Sequence, residues 1–178
     1  MEIELIKFLQ SGKNQFFDVF FGFFTCFAGV VGLVVVFFLL FFKNKKYSLY
    51  FLLNYLFLIG FNYILKILTN RPRPYEVDEQ ILNISQALGK SFPSGHMASA
   101  TIFCVYIVFY VLKNVKNKGT KILTILCCFL YCFCVGLSRL YFGQHYASDV
   151  LGGFFVGILF GGLSLIFLHK KLYKKIWK

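Results

Sequence analysis

The sequence predicts an all-α fold, a polytopic membrane helical bundle of five crossing helices, or six if the N-terminal residues insert. Three observations carry this prediction. The 178-residue chain is 58% hydrophobic with 25 phenylalanines, well above the roughly 45–50% apolar content of soluble domains. Five apolar runs lie near 19–42, 47–66, 96–113, 121–138 and 149–168. At about 1.5 Å per residue, each is long enough to cross a hydrocarbon core of about 30 Å. Finally, twelve lysines crowd into alternate connections between those runs.

Taken in order, residues 1–15 carry Ile3, Leu5, Ile6, Phe8 and Leu9 among Glu2, Glu4, Lys7, Gln10 and Lys13. That mixture is too polar to span and suits a short interfacial helix. The stretch Phe16–Phe42 would measure about 40 Å as one helix, generous for one crossing and too short for two. Gly29 and Gly32 mark a bend in it, and Asp18 places its start near the head groups. Its apolar core is too long for a cleaved leader, and no small-residue cleavage site follows. The connection 67–95 holds all three prolines and the acidic Glu76, Asp78 and Glu79, and reads as an irregular loop with a short amphipathic helix near Ile81–Leu88. In the last run, Gly157, Gly161 and Gly162 have the small-residue spacing that lets helices approach closely. Residues 1–178 read as a single integral membrane domain.

The net charge of +12 could point to nucleic acid, but its distribution argues against that. Lys43, Lys45 and Lys46, then Lys113, Lys116, Lys118 and Lys121, then Lys170, Lys171, Lys174, Lys175 and Lys178 follow the positive-inside pattern. These segments face the cytoplasm beside anionic lipid, and 67–95 and 139–148 face the opposite side. With five crossings the N-terminus shares that outer side. The six cysteines all lie within apolar runs without a CxxC pair, and read as small buried hydrophobes rather than disulfides or metal ligands.

Three polar strings interrupt the apolar pattern: Lys66-(six residues)-Arg73-Pro74, Pro93-Ser94-Gly95-His96, and Ser138-Arg139-(five residues)-His145-(three residues)-Asp149. His145 and Asp149 share a face at helical spacing, so the carboxylate can set the imidazole tautomer; a capping Asp beside an interfacial His has the same appearance. Ser94 suits an N-cap, and Gly95 lets an anion approach the free N–H groups of a helix start, with His96 at its edge as a proton donor. A capped helix with a surface histidine explains that string equally well. Lys66, Arg73 and Arg139 could each snorkel to head groups. Convergent cations are also the clamp a phosphoryl group in transit requires. All three strings fall on one predicted face of the membrane.

In order, spacing and content these strings match KxxxxxxRP…PSGH…SRxxxxxHxxxD without substitution over residues 66–149. The chain therefore resembles the type 2 phosphatidic acid phosphatase (PAP2) superfamily. That resemblance implies His145 as nucleophile forming a phosphohistidine, Asp149 orienting it, and His96 protonating the leaving oxygen and then activating water. It implies that Lys66, Arg73, Ser94, Gly95 and Arg139 bind the phosphate oxygens, without a metal or other cofactor. Arg71, in the first of the two Arg-Pro pairs of Arg71-Pro72-Arg73-Pro74, is a second candidate cation and reads as lying in solvent, with contact to a second phosphate or acidic head group as the alternative. Glu76, Asp78 and Glu79 read as a solvated loop face, and His169 as remote from the site.

The expected partners are membrane lipids and a lipid phosphate substrate, with no nucleic acid. The expected activity is removal of a terminal phosphate from a lipid mono- or diphosphate at the periplasmic or extracellular face of the cell membrane. Undecaprenyl diphosphate leads. Phosphatidylglycerophosphate, phosphatidic acid and lipid A phosphates are alternatives, as are phosphoryl transfer to an acceptor other than water and a transport or structural role.

Overall fold

A computed structural model describes residues 1–85, 87 and 89–167. They form eight helices and, among the described residues, no strand: α1 (Glu2–Ser11), α2 (Gln15–Phe27), α3 (Val30–Phe41), α4 (Lys45–Thr69), α5 (Pro74–Val77), α6 (Gly95–Asn114), α7 (Lys118–Tyr141) and α8 (Ala147–Phe167). Four helices are long and apolar enough to cross a membrane by themselves, and α2 with α3, bent by 50° between them, passes the same test as a pair, the shape of a broken span or a re-entrant loop. The chain is a multi-pass membrane protein of the expected fold class. His169 and the C-terminal lysines lie outside the described residues.

Short polar caps set the helix starts. Asn14, Asn44 and Asn117 accept hydrogen bonds from the backbone N–H groups of Phe17, Tyr47 and Thr120 at 3.0, 3.0 and 3.1 Å. Such caps satisfy donors that have no partner inside the helix. The expected bend falls at Ala28–Gly29, between α2 and α3. Gly32 makes the close return possible. A Cβ there would meet the Phe27 carbonyl carbon at 2.8 Å and the Phe103 ring at 2.9 Å.

α6 is the axis of the bundle. Its Ile102, Phe103 and Tyr106 pack against Phe51, Tyr55 and Leu58 of α4 and Val36 and Leu40 of α3. Against α8 the approach is closer, because Gly153, Gly157 and Gly161 repeat every fourth residue. A Cβ at Gly157 would stand 2.7 Å from the Ala98 carbonyl oxygen, and one at Gly161 would stand 3.0 Å from Val105 Cβ. Gly162, expected in this seam, faces open space, and Gly153 takes its place. In lipid, van der Waals fit and interhelical hydrogen bonds hold helices together. Asn54 of α4 accordingly donates to the Phe160 carbonyl at 3.0 Å, and Tyr106 and Ser164 share a hydrogen at 2.5 Å.

The cysteines divide. Cys104, Cys132 and Cys134 are buried as expected, whereas Cys26 and Cys127 lie on the outer surface of the bundle.

One end of the bundle is capped by α1, α5 and the segments 78–92 and 142–146. Ile6 of α1, Ile81, Leu140 and Tyr146 form a small core there. The helix expected near Ile81–Leu88 is not formed among its described residues. The Gln10 side chain from α1 meets the Leu82 backbone twice instead, accepting its N–H and donating to its carbonyl, both at 2.9 Å. A neighbouring side chain thus supplies the bonds a helical turn would have made.

Candidate active site

Each polar string is delivered to this capped end by a helix terminus. α4 carries Lys66 in its last turn and stops at Asn70, which adopts the left-handed conformation at φ 45°. The Lys66 ammonium, half-buried, donates to the Lys90 carbonyl at 2.5 Å. Arg73 follows α4 and is 4% exposed. Its guanidinium donates to the carbonyls of Gly89 at 2.7 Å and Gln144 at 3.0 Å.

α6 begins at the second string. Ser94 is fully buried, and its hydroxyl accepts the Met97 N–H at 3.4 Å. Its own N–H donates to the Asp149 carbonyl at 3.0 Å, so the start of α6 is tied to the start of α8. Gly95 and His96 form the first turn of α6, beside the α2–α3 bend.

The third string spans the end of α7 and the start of α8. Arg139 is 1% exposed and donates to the Thr25 hydroxyl at 2.9 Å, while its buried Nε has no hydrogen-bond partner. His145 is 3% exposed, with Nδ1 3.7 Å from Asp149 Oδ2. That separation is too long for a hydrogen bond and becomes an ion pair only when the imidazole is protonated. Burial, opposed by Asp149 and reinforced by the fields of Arg139, Arg73 and Lys66, brings the imidazole pKa down to about 3. The ring is therefore neutral near pH 7, with a lone pair available. Arg139, His145, Arg73 and Lys66 all lie close enough to act electrostatically on His96. The structure thus brings all three strings together at one end of the bundle.

Asp149 is wholly buried and better supplied with partners than expected. Oδ2 accepts from the Ser91 hydroxyl at 2.5 Å and the Tyr146 N–H at 2.9 Å. Oδ1 accepts from Arg71 Nη1 at 2.6 Å. Arg71 is thus not a solvated cation. It lies over the Tyr146 ring at 4.1 Å and also pairs with Glu2 of α1 at 3.2 Å. The acidic loop face is solvated as expected, with Glu76 and Glu79 exposed, and it also makes local contacts. Glu76 accepts the Arg73 N–H at 2.9 Å, and Asp78 pairs with Lys7 at 2.8 Å. Ser91, Thr25 and Glu2 are the site-end residues that the sequence did not single out, since their partners come from distant segments, whereas the additional Arg-Pro pair did draw attention to Arg71 but not to its partner.

A cavity of about 390 Å³ leads away from the cations. Tyr55, Leu58, Ile59, Asn62, Tyr63 and Lys66 line it from one face of α4, with Gly29 and His96 opposite. Those α4 positions span about 16 Å along the helix. Among the described residues, no three His, Cys, Asp or Glu side chains converge as a metal-ligand group.

The family model described as the PAP2 superfamily matches residues 47–173, which take in all three strings. The chain belongs to the PAP2 superfamily. Among PAP2 relatives, it is 28% identical to undecaprenyl-diphosphatase BcrC of Bacillus subtilis over 94% of this chain and 84% of that protein. It is 40% identical to phosphatidylglycerophosphatase B of Bacillus subtilis, over 48% of this chain and 40% of that protein. The matched stretch therefore spans well under half of the latter relative. The fold is that of a solved transmembrane PAP2 type phosphatidylglycerolphosphate phosphatase from Bacillus subtilis, with TM-score 0.83 over 96% of this chain and 85% of that one at 24% identity.

Proposed function

We propose that this PAP2 chain is an integral membrane lipid phosphatase, a single domain over residues 1–178, that removes the terminal phosphate of a lipid mono- or diphosphate. The observation that carries the reading is Arg139. Its guanidinium is 1% exposed, its hydrogen bond is to the neutral Thr25 hydroxyl, and its Nε is buried without a partner. A buried cation served only by neutral groups is costly, and a bound phosphate dianion relieves that cost. Lys66 and Arg73, which meet carbonyl oxygens, complete the clamp with the backbone at Ser94 and Gly95.

In this reading neutral His145 attacks phosphorus through Nε2, the nitrogen turned away from Asp149. The N–P bond forms as the bond to the leaving oxygen breaks, and His96 delivers a proton to that oxygen. Positive charge grows on the imidazole and draws the Asp149 carboxylate onto Nδ1–H. Water, deprotonated by His96, then attacks phosphorus, releases inorganic phosphate and restores His145. No step requires a metal ion. In-line displacement places the leaving group opposite His145, on the side of His96. The cavity along α4 then receives the lipid.

Undecaprenyl diphosphate is the leading substrate, supported by a similarity to BcrC that runs nearly the full length of both chains. Phosphatidylglycerophosphate is the second reading, favoured by the higher identity over the shorter stretch. The site is assigned to the periplasmic or extracellular face, because the lysine-rich connections after α3 and α6 lie at the other end of the bundle. The test is phosphate release by purified protein from undecaprenyl diphosphate, phosphatidylglycerophosphate, phosphatidic acid and lipid A phosphates, with His145→Ala as control. Undecaprenyl diphosphate should have the largest kcat/KM. Release without an added acceptor marks a hydrolase, and release dependent on an acceptor marks a phosphotransferase. Full activity in His145→Ala would overturn the mechanism.

A further inference from the structure

We propose that the N-terminal helix is part of the catalytic apparatus: Glu2 holds the Arg71 guanidinium, and Arg71 is the positioning residue and resident counter-ion of Asp149. The activity arm of this inference rests on the lipid phosphatase reading above, and its stability arm does not.

Asp149 is wholly buried, and a buried carboxylate stays ionised only with a positive partner or enough strong donors. His145 supplies no charge at rest, because it is neutral and its Nδ1 stands 3.7 Å away. Ser91 and Tyr146 donate to Asp149 as neutral groups. The charge in direct contact is Arg71, at 2.6 Å on Oδ1. That placement leaves Oδ2 turned toward His145.

Arg71 is itself held by three further contacts. Nη1 also donates to the Ser148 hydroxyl at 2.8 Å, the guanidinium lies over the Tyr146 ring, and Nη2 meets Glu2 at 3.2 Å. The other Glu2 oxygen accepts the Ser148 N–H at 2.7 Å, in the first turn of α8. One carboxylate from α1 thus ties Arg71 to the helix that carries Asp149. The remaining charged or titratable groups that act on Asp149 are Lys66 at the end of α4, Arg73 beyond it, and Tyr146. None of these sits on Oδ1.

The consequence is chemical. When the phosphoryl group reaches His145, Asp149 must already be ionised to accept Nδ1–H. Without Arg71 the carboxylate takes up a proton at higher pH, and the enzyme loses its acceptor from the acid side. A merely structural tether would lower the amount of folded protein and leave the pH profile where it was.

The experiment uses the full chain in detergent micelles, comparing Arg71→Gln, Arg71→Lys, Glu2→Gln and the Glu2→Gln/Arg71→Gln double variant. Phosphate release from undecaprenyl diphosphate is measured from pH 3.5 to 9, with thermal melts at pH 3.5 and 8. Arg71→Gln should lower kcat roughly 10- to 100-fold near pH 7 with KM little changed, and move the acid limb upward by about one pH unit. Arg71→Lys should restore most of the loss. Glu2→Gln should cost about threefold in kcat, and the double variant should be no worse than Arg71→Gln, because the two residues act as one unit.

In the melts, Arg71→Gln should lose more stability at pH 8, where the Asp149 carboxylate is ionised, than at pH 3.5, where the variant carboxyl is protonated. An unmoved acid limb, or additive losses in the double variant, overturns the proposal. If Arg71→Gln does not fold, Arg71→Lys and Glu2→Gln decide it: retained activity in the first and a displaced acid limb in the second support it, and unshifted profiles in both overturn it. If the parent releases no phosphate from any lipid, the phosphatase reading falls. Equal melting losses at the two pH values then still reject the counter-ion role.

Discussion

His145 Nδ1 and Asp149 Oδ2 stand 3.7 Å apart in the resting site, close enough to attract and too far to share a proton. The carboxylate is occupied on the same oxygen by Ser91 and the Tyr146 N–H. In the proposed mechanism this histidine–aspartate contact tightens as charge develops on the imidazole. An interaction stronger in the transition state than in the ground state lowers the barrier and leaves substrate binding little changed.

Asp149→Asn tests that division. The amide keeps the shape but can neither balance an imidazolium nor pair with Arg71. A loss in kcat of roughly 10²-fold or more is expected with KM changed much less, measured by phosphate release on protein verified as folded. A matching rise in KM alone would show that Asp149 serves substrate binding instead.

Arg139→Lys should behave as a severe change despite conserving charge. Lysine offers one compact ammonium where the guanidinium reaches Thr25 and keeps Nε free for a phosphate oxygen. Removal of one such contact typically costs about 10²- to 10³-fold in rate. Vanadate inhibition should weaken in parallel, and undiminished vanadate affinity would remove Arg139 from the clamp.

His145 also gives stability a pH dependence. Its imidazole has a folded-state pKa of about 3, against an ordinary value of 6.5. A group depressed in this way binds more protons when unfolded. Its contribution is complete above about pH 6.5 and is lost as pH falls toward 3. At pH 5 the loss is on the order of 2 kcal/mol. Thermal melts of His145→Gln and the parent between pH 4.5 and 8 should converge at the acid end, and parallel curves would contradict the neutral buried ring.

The α6–α8 seam yields a prediction away from the chemistry. Gly157→Val places methyl groups against the Ala98 carbonyl and Thr101, and should destabilise the bundle by about 1–3 kcal/mol. Gly162→Val, pointing into open space, should be close to neutral. Equal effects at both positions would show that helix propensity, rather than contact, sets the cost.

The outline of the fold was legible because apolar length and lysine placement are read along the chain. The bend was legible too, since glycine at 29 and 32 signals a break locally. The amphipathic helix near Ile81–Leu88 was misread, because Gln10, more than seventy residues away, provides the backbone partners that decide its conformation. Gly162 was misassigned for a related reason. Spacing shows that small residues recur, but only the rotation of α8 about its axis shows which of them face α6.

The resemblance of three spaced strings to the PAP2 signature named the residues of the candidate site, since fixed intervals of lysine, arginine, serine, glycine, histidine and aspartate survive without coordinates. Which residue answers which was another matter. Arg71 looked redundant beside Arg73, and Glu2 looked like part of an interfacial helix. Arg71 reaches Asp149, and Glu2 reaches Arg71, through side chains from segments remote in sequence, and in a buried setting the choice of counter-ion depends on distances of a few ångström. Local pattern thus supplied the candidate residues and their gathering at one end of the bundle. Tertiary packing decided how that chemistry is held, because the electrostatics of a buried carboxylate depend on which charge arrives beside it.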